Sequence, residues 1–194
     1  MGGFANAIEL EQTRDDCAPA SEVWSAVRGA VTGAWREALS AEHAEAACAW
    51  VEMGSDSLLM IGGEDPDDAN AGGDEPASGV MFWFYETVDW ALPLAEHWLA
   101  HALVSRRGAI ERALGELGYA LAEDSGYPTA ESLSEQRFIV DGARVGHPDS
   151  EGVFWQLPES EYTDYADMEE EQRAAALRVR DGGACECPYC AARS

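Results

Sequence analysis

The sequence of 194 residues contains no lysine, so arginine supplies all 12 cationic side chains, against 37 aspartate and glutamate residues. The formal net charge at pH 7 is -25. A nucleic-acid binder replaces the counterions of the phosphates with lysine and arginine, and its basic patch should be visible in the sequence. The best basic cluster here is only Arg106 and Arg107 with Arg112. We therefore expect no direct binding to nucleic acid or to an anionic membrane.

Long apolar runs are also missing. The longest uncharged aromatic run, Pro76 to Tyr85, is about half of the roughly 20 residues that a membrane-spanning helix needs. The first residues, MGGFANAIELE, have no basic region followed by an apolar one, so we expect no signal peptide and a cytoplasmic location. The five cysteines are an odd number with three in the last ten residues, which is not typical of a secreted disulfide framework.

Familiar catalytic motifs are lacking as well. There is no P-loop, no GxGxxG and no GxSxG elbow. With so many carboxylates, chance pairs of acids are inevitable, so their presence does not indicate glycosidase or nuclease chemistry. We therefore predict a protein that is not an enzyme.

What the sequence does have is enough apolar material for a packed core, with 46% hydrophobic residues and seven tryptophans, too apolar for a disordered acidic tail. Periodicity predicts an amphipathic helix from about Pro19 to Leu39, and Ser40 is suited to cap a second, short helix, although 47–53 would also fit a strand. The other predicted elements are strands at 57–61, 80–86, 119–121, 137–140, 143–145 and 152–157, and helices at 89–106, 109–117 and 167–180.

This order has no regular alternation of strand and helix. It predicts a single α+β domain with a mainly antiparallel sheet and helices packed on one face. We place that domain at 1–182, with a mobile acidic loop at 62–79, where glycine, proline and acids replace all large hydrophobic residues. Residues 183–194 form a cysteine-rich C-terminal tail.

The tail contains Cys185, Cys187 and Cys190. The string Cys187-Pro188-Tyr189-Cys190 resembles the active-site motif of glutaredoxins, but in that family the pair follows the first strand at a helix N-terminus, whereas here only four residues follow it. Metal binding is the better interpretation, since two cysteines two residues apart with a proline between them resemble half of a zinc ribbon. Tetrahedral zinc needs a fourth ligand, and Cys17, Cys48, His43, His147 or a partner chain are the sources that we consider.

His97 and His101 form a second, weaker candidate for a metal site. Their spacing places two imidazoles on one face of the predicted helix. The pattern resembles the HExxH helix of zinc proteases but has Trp98 where that motif needs glutamate. Two histidines on a polar helix face are more often solvated.

The acids are concentrated in tracts, since residues 51–100 hold eleven acids and no base. A row of carboxylates with aromatic anchors resembles the charge pattern of nucleic acid and fits a cationic groove. The candidate partner-binding residues are Glu64, Asp65, Asp67, Asp68, Glu159, Glu161, Tyr162, Asp164, Tyr165, Asp167, Glu169 and Glu170. Our leading hypothesis is a non-catalytic acidic protein that inhibits or regulates a basic nucleic-acid-handling protein, as antirestriction, anti-CRISPR or nuclease-immunity proteins do.

Two alternatives stay open. In the first, the protein is a zinc-stabilised adaptor or regulator from a halophilic or GC-rich organism, and its acidity is only a surface adaptation that keeps it soluble. In the second, it is a metal-dependent enzyme with its centre near His97 and His101. An even spread of acids over the surface would favour the first alternative.

Overall fold

The computed structural model describes residues 5–55, 75–84, 92–141, 144–146, 154–156, 161–163 and 183–193. The helices in these ranges are α1 (Ala20–Ala38), α2 (Ala41–Trp50), α3 (Leu92–Leu117), α4 (Ala130–Glu135) and α5 (Pro188–Ala191). The strands are β1 (Ala5–Gln12), β2 (Val51–Ser55), β3 (Gly79–Phe84), β4 (Tyr119–Leu121), β5 (Ile139–Asp141), β6 (Arg144–Gly146), β7 (Phe154–Gln156) and β8 (Glu161–Thr163).

The strands form two antiparallel sheets, with the orders β2-β3-β1-β4 and β5-β6-β7-β8. In the first sheet, Ile8 of β1 lies opposite Val80 of β3. Residues of β1 alternate in burial: Ile8 and Leu10 face the core, whereas Glu9 and Glu11 are exposed, as expected for a strand with one buried face. The mixture of helices and antiparallel sheets confirms the predicted α+β fold.

Helices α1 and α3 pack against each other beside the first sheet. The apolar stripe of α1 is buried, including Val23, Val27 and Trp35, because these residues recur at three- and four-residue steps. The indole Nε1 of Trp35 donates a hydrogen bond to the backbone oxygen of Trp98 in α3, at 3.0 Å. This bond and the surrounding apolar contacts fix the rotation of α3 about its axis.

Several predicted elements are confirmed. α1 matches the predicted helix, and the Ser40 side chain caps α2 by accepting a hydrogen bond from the backbone N–H of His43. β3 is an interior strand of its sheet, as its apolar sequence indicates. The strands predicted at 137–140 and 143–145 correspond to β5 and β6, which pair in antiparallel register.

Other elements differ from the predictions. The helices predicted at 89–106 and 109–117 are one continuous helix, α3, which runs through Gly108. An exposed glycine inside a helix costs only about 1 kcal/mol, and the ion pair of Arg107 with Glu111 spans the position. The sequence reasoning missed β1, α4, α5 and β8. β1 is marked only by a short alternation of apolar and acidic residues, and each of the other three contains a single leucine or tyrosine.

Some predictions fall on residues that the structure does not describe: the strand at 57–61, the helix at 167–180, and 62–74 of the acidic loop. The end of that loop is described. Pro76 forms a β-bridge with Pro19, Ala77 is buried, and Gly79 begins β3. Among the helices that the structure describes, none combines the length and apolar character needed to cross a bilayer.

Gly118 ends α3 in the left-handed conformation, with φ of 94°. Its carbonyl accepts from the N–H of Thr13, and the neighbouring Leu117 carbonyl accepts from Ala18, each at 2.8 Å. A Cβ at Gly118 would lie 2.9 Å from the side chain of Arg14 and 3.0 Å from the backbone of Cys17. The loop that follows β1 therefore packs against a position that only glycine fills without strain.

We predict that Gly118→Ala lowers the free energy of unfolding by about 2 kcal/mol or more, because the left-handed backbone and the close contacts both oppose a Cβ. Gly115→Ala is the matched control. Gly115 lies in α3 with no atom near the added Cβ, so this change should stabilise the protein by roughly 0.5–1 kcal/mol. Urea unfolding measures both. Equal effects of the two substitutions would contradict the prediction.

Candidate metal centre

The C-terminal tail runs back along the segment that leads into β5. The N–H of Glu186 donates to the carbonyl of Phe138 at 2.7 Å, and the Arg137 guanidinium donates to the carbonyl of Gly183 at 3.0 Å. The carboxylate of Glu186 accepts in turn from the N–H of Val140. These bonds hold the three tail cysteines against the N-terminal half of α3.

Four side chains converge where the tail meets α3: those of His97, Cys185, Cys187 and Cys190. Their ligand atoms all lie within 4.8 Å of one another. Nε2 of His97 is 3.5 Å from Sγ of Cys185 and 3.7 Å from Sγ of Cys190. Ligand atoms bound to one tetrahedral zinc ion lie about 3.5–3.8 Å apart, given bonds of about 2.0–2.3 Å. The cluster could therefore hold a metal ion.

The local backbone orients two of the sulfurs. Cys187 is the N-cap of α5, and its Sγ accepts a hydrogen bond from the N–H of Cys190 at 3.3 Å. Pro188 suits the first position of this helix, because its φ angle is helical and its missing N–H is not needed there. Sγ of Cys185 accepts from the N–H of Phe138, also at 3.3 Å.

The second ring nitrogen of His97, Nδ1, is also held in place. Nδ1 lies 3.2 Å from Oε1 of Gln136, which favours the tautomer that carries its hydrogen on Nδ1 and leaves the lone pair of Nε2 facing the sulfurs. The ring packs on Phe138, and His97 has no exposed surface. A hydrogen bond of this kind to the second nitrogen is the usual support of a metal-binding histidine.

His101 lies one helical turn after His97 and is half-buried. Its Nε2 is 3.2 Å from Sγ of Cys190, its ring stacks on Tyr189, and it meets the ring of His97 edge-on. Burial and then the neighbouring His97 lower the pKa of His101 to about 4. His101 is therefore neutral at physiological pH, with a single ring N–H to donate.

The three thiols influence one another's ionisation. Hydrogen bonds from Cys187 and then from Cys190 lower the pKa of Cys185 far below its usual range. Hydrogen bonds with Cys185 and Cys190 raise the pKa of Cys187, and the hydrogen bond with Cys185 raises that of Cys190 to about 11. One thiolate is therefore stabilised even without a bound cation, and the thiolate is the form that binds metals.

The two metal candidates from the sequence belong to one cluster. His97 is the fourth donor, and none of the residues that we considered for that role in the sequence takes it among those that the structure describes. Cys17 lies beside Tyr119, Cys48 is exposed, and His43 packs on Trp98. His147 lies outside the described residues. The sequence contained both halves of this cluster. The three tail cysteines lacked a fourth ligand, and the histidine pair on the helix lacked the thiols that complete a site.

The side chain of Trp98, at the position where HExxH proteases have glutamate, packs on the ring of His43 in α2. It is buried in the core, whereas His97 and His101 face the tail. The segment therefore presents two imidazoles to the cluster, and Trp98 supplies no general base there.

The structure describes only a small part of the candidate partner-binding surface. Glu161 and Tyr162 belong to β8, where Tyr162 pairs with Trp155 of β7. β8 is the last strand in the order of the second sheet. The remaining candidates lie outside the described residues: Glu64, Asp65, Asp67, Asp68, Glu159, Asp164, Tyr165, Asp167, Glu169 and Glu170.

Comparison with known proteins gives no match to any family model, curated protein or solved structure. The chemistry of the site must then be inferred from its own geometry. Three thiolates and one imidazole bind metal ions, and a metal held by four protein ligands has its tetrahedral positions filled. Such a site can stabilise a fold, whereas a catalytic centre keeps one position open for water or substrate.

We predict that Gln136→Met weakens metal binding about tenfold to a hundredfold, because the substitution keeps the size of the side chain and removes the acceptor for His97 Nδ1. Co²⁺ in competition with a chromophoric chelator measures the affinity. Ser134→Ala is the control, since this exposed residue of α4 bonds only to the backbone oxygen of Glu131 in the interactions described. An unchanged affinity in the Gln136 variant would show that this hydrogen bond does not support the site.

Proposed function

We propose that this protein is a non-catalytic, zinc-stabilised binding protein that inhibits or regulates a basic, nucleic-acid-handling partner. The observation that carries the zinc part of this proposal is the convergence of His97 with Cys185, Cys187 and Cys190 within 4.8 Å. The part that concerns the partner rests on the net charge of -25 and on the acidic tracts.

The donor set favours zinc over other metals. Soft thiolates select Zn²⁺, Cu(I) and iron–sulfur clusters, whereas Mg²⁺ and Ca²⁺ prefer oxygen ligands. A set of three cysteines and one histidine is a common structural zinc site. The ligand-to-ligand distances of 3.5 and 3.7 Å from His97 Nε2 agree with a tetrahedral ion of that size.

The position of the site supports a structural role. Its ligands come from α3 and the tail, and the tail is also hydrogen-bonded to the segment before β5. A zinc ion there would join α3 to the tail, and the hydrogen bonds of the tail would extend this connection to the segment before β5. Binding energy of this kind contributes to folding, because the unfolded chain has no preformed site.

The charge supports a cationic partner. Three arginines are taken up by ion pairs with nearby acids in the described part of the chain: Arg14 with Asp16, Arg106 with Glu37, and Arg107 with Glu111. The carboxylates greatly outnumber all twelve arginines, so most of the negative charge remains available to attract a basic surface. The carboxylates would set the association rate and its salt sensitivity, while apolar anchors such as Tyr162 would add affinity.

Among the strands that the structure describes, β8 lies at an edge of its sheet, which is a specific observation in favour of this interface. An edge strand presents unpaired backbone groups on one side, to which a partner can add. Glu161 lies in this strand, within the predicted acidic tract. The rival proposal of a metal enzyme near His97 and His101 has less support, because His97 shares its site with three cysteines that complete the ligand set.

We predict that protein expressed with zinc and purified contains one equivalent of zinc per chain. His97→Ala and Cys187→Ser should each lower zinc affinity more than about a hundredfold, since each removes a ligand. Removal of zinc from the wild-type protein should lower its thermal midpoint and increase amide exchange in 183–193 and 137–141. Elemental analysis, calorimetry and hydrogen exchange measure these changes.

Cys48→Ser is the matched control for these substitutions, because Cys48 is exposed and lies outside the cluster. This variant should keep a full equivalent of zinc and the wild-type thermal midpoint. Wild-type protein with zinc well below one equivalent would overturn the proposal.

We predict that the full chain captures a basic protein from a nuclease-treated host lysate at low salt and releases it at high salt. Combined neutralisation of Glu159, Glu161, Asp164 and Asp167 to their amides should weaken that binding at least about tenfold and reduce its salt dependence.

The control neutralises the same number of acids elsewhere, at the exposed positions Glu42, Glu45, Glu116 and Glu131. If the acidic tract is the interface, the control should weaken binding much less. Equal losses in the two variants would indicate a general charge effect and contradict a localised interface.

A further inference from the structure

Each of the three sulfurs in the cluster is close to one N–H group. The N–H of Phe138 donates to Cys185, and the N–H of Cys190 donates to Cys187. Both of these donors belong to the backbone. The third sulfur, that of Cys190, has the side chain of His101 beside it, with Nε2 at 3.2 Å.

We propose that His101 is a positioning residue of the zinc site, which donates its Nε2–H to the sulfur of Cys190 and thereby keeps that ligand unreactive toward electrophiles. The proposal rests on the proposed zinc site and adds a function for a residue outside the ligand set. A metal-bound thiolate has no hydrogen to donate, so the hydrogen between these atoms must belong to His101.

Charge explains why such a donor is needed. One Zn²⁺ ion with three thiolates and a neutral imidazole carries a net charge of about -1 by formal addition. A buried negative charge is costly unless hydrogen bonds stabilise it, and bonds to ionised acceptors are roughly twice as strong as neutral ones. His101 adds a side-chain N–H to the backbone donors that already lie beside the sulfurs of Cys185 and Cys187.

The packing of His101 agrees with a donor in a fixed position. Its ring stacks on Tyr189 at a centroid distance of 4.8 Å, with only 20° between the ring planes. Tyr189 follows Cys187 and Pro188 in the sequence and directly precedes Cys190. Its side chain is buried. His101 therefore approaches the cluster beside Cys190, whereas the mutually close set consists of His97 and the three cysteines.

The effect should be concentrated at Cys190. Cys185 and Cys190 are both partly exposed, whereas Cys187 is fully buried, and of the two exposed sulfurs Cys190 is the one beside His101. A hydrogen bond withdraws electron density from a thiolate, so its loss makes the sulfur a stronger nucleophile and a better electron donor to the metal. Without the bond, Cys190 should be the first ligand to react with an alkylating reagent and to leave the metal.

The test compares three substitutions in the full chain loaded with Co²⁺. His101→Phe keeps an aromatic ring for Tyr189 and removes the donor. His101→Gln replaces the ring but places an amide N–H at a similar reach, and His101→Asn has the same amide on a side chain too short to reach the sulfur. The measurements are Co²⁺ stoichiometry, the energy of the thiolate-to-cobalt charge-transfer band, and the rate of iodoacetamide-driven cobalt release, with the alkylated cysteine identified by mass spectrometry.

We expect all four proteins to bind one equivalent of Co²⁺. His101→Phe and His101→Asn should release cobalt about tenfold faster than the wild type, with Cys190 alkylated first and the charge-transfer band at lower energy. His101→Gln should behave like the wild type. The pair of amides keeps the test decisive even if the phenylalanine variant does not fold.

The proposal is overturned if His101→Asn and His101→Gln react at the same rate, or if Cys185 is alkylated first in the variants. It is also overturned if the variants lose the tetrahedral cobalt spectrum, because His101 would then be a ligand. Failure of wild-type protein to bind Co²⁺ would instead remove the zinc site itself and this role with it.

Discussion

The rotational setting of α3 is the constraint on which the site depends. His97, Trp98 and His101 are close in sequence, yet the two histidines contact the tail whereas the tryptophan is buried in the core. Trp98 is buried in the core and its carbonyl accepts the hydrogen bond from Trp35 of α1, so the same helix turns His97 and His101 toward the tail. A helix advances about 100° per residue, so a small rotation of α3 would move both imidazoles away from the sulfurs. The packing of α1 on α3 therefore positions a site to which α1 contributes no ligand.

The sequence predicted the elements that have a clear period and the ligands that form a local motif. The apolar stripe of α1 and the buried sequence of β3 are of this kind, and so is the spacing of Cys187 and Cys190. It did not predict β1, because only the alternation of Ile8 and Leu10 with Glu9 and Glu11 marks it. Nor did it join His97 to the cysteines 88 or more residues later, since that contact arises from tertiary packing, which no local pattern encodes.

Metal and charge have complementary roles in the proposed function. The carboxylates repel one another, which opposes a compact state, and the chain has few arginines with which to offset them. A metal site held by thiolates gives stability that does not depend on surface ion pairs, whose contributions are small. A strongly acidic protein can in this way keep its negative surface for a partner and obtain part of its stability from the cluster. Habitat adaptation would explain the acids but would not require the cluster.

The buried state of His97 supports the proposal that the cluster holds a metal ion and is not only a contact between thiols. An imidazole without exposed surface must satisfy both nitrogens. Gln136 satisfies Nδ1, and Nε2 faces sulfurs at 3.5 and 3.7 Å. Thiols are weak hydrogen-bond donors, so thiols alone would compensate only weakly for the burial of the Nε2 lone pair. A cation at the centre would satisfy Nε2 and the three sulfurs together, and this single interaction accounts for the burial, the spacing and the backbone donors around the site.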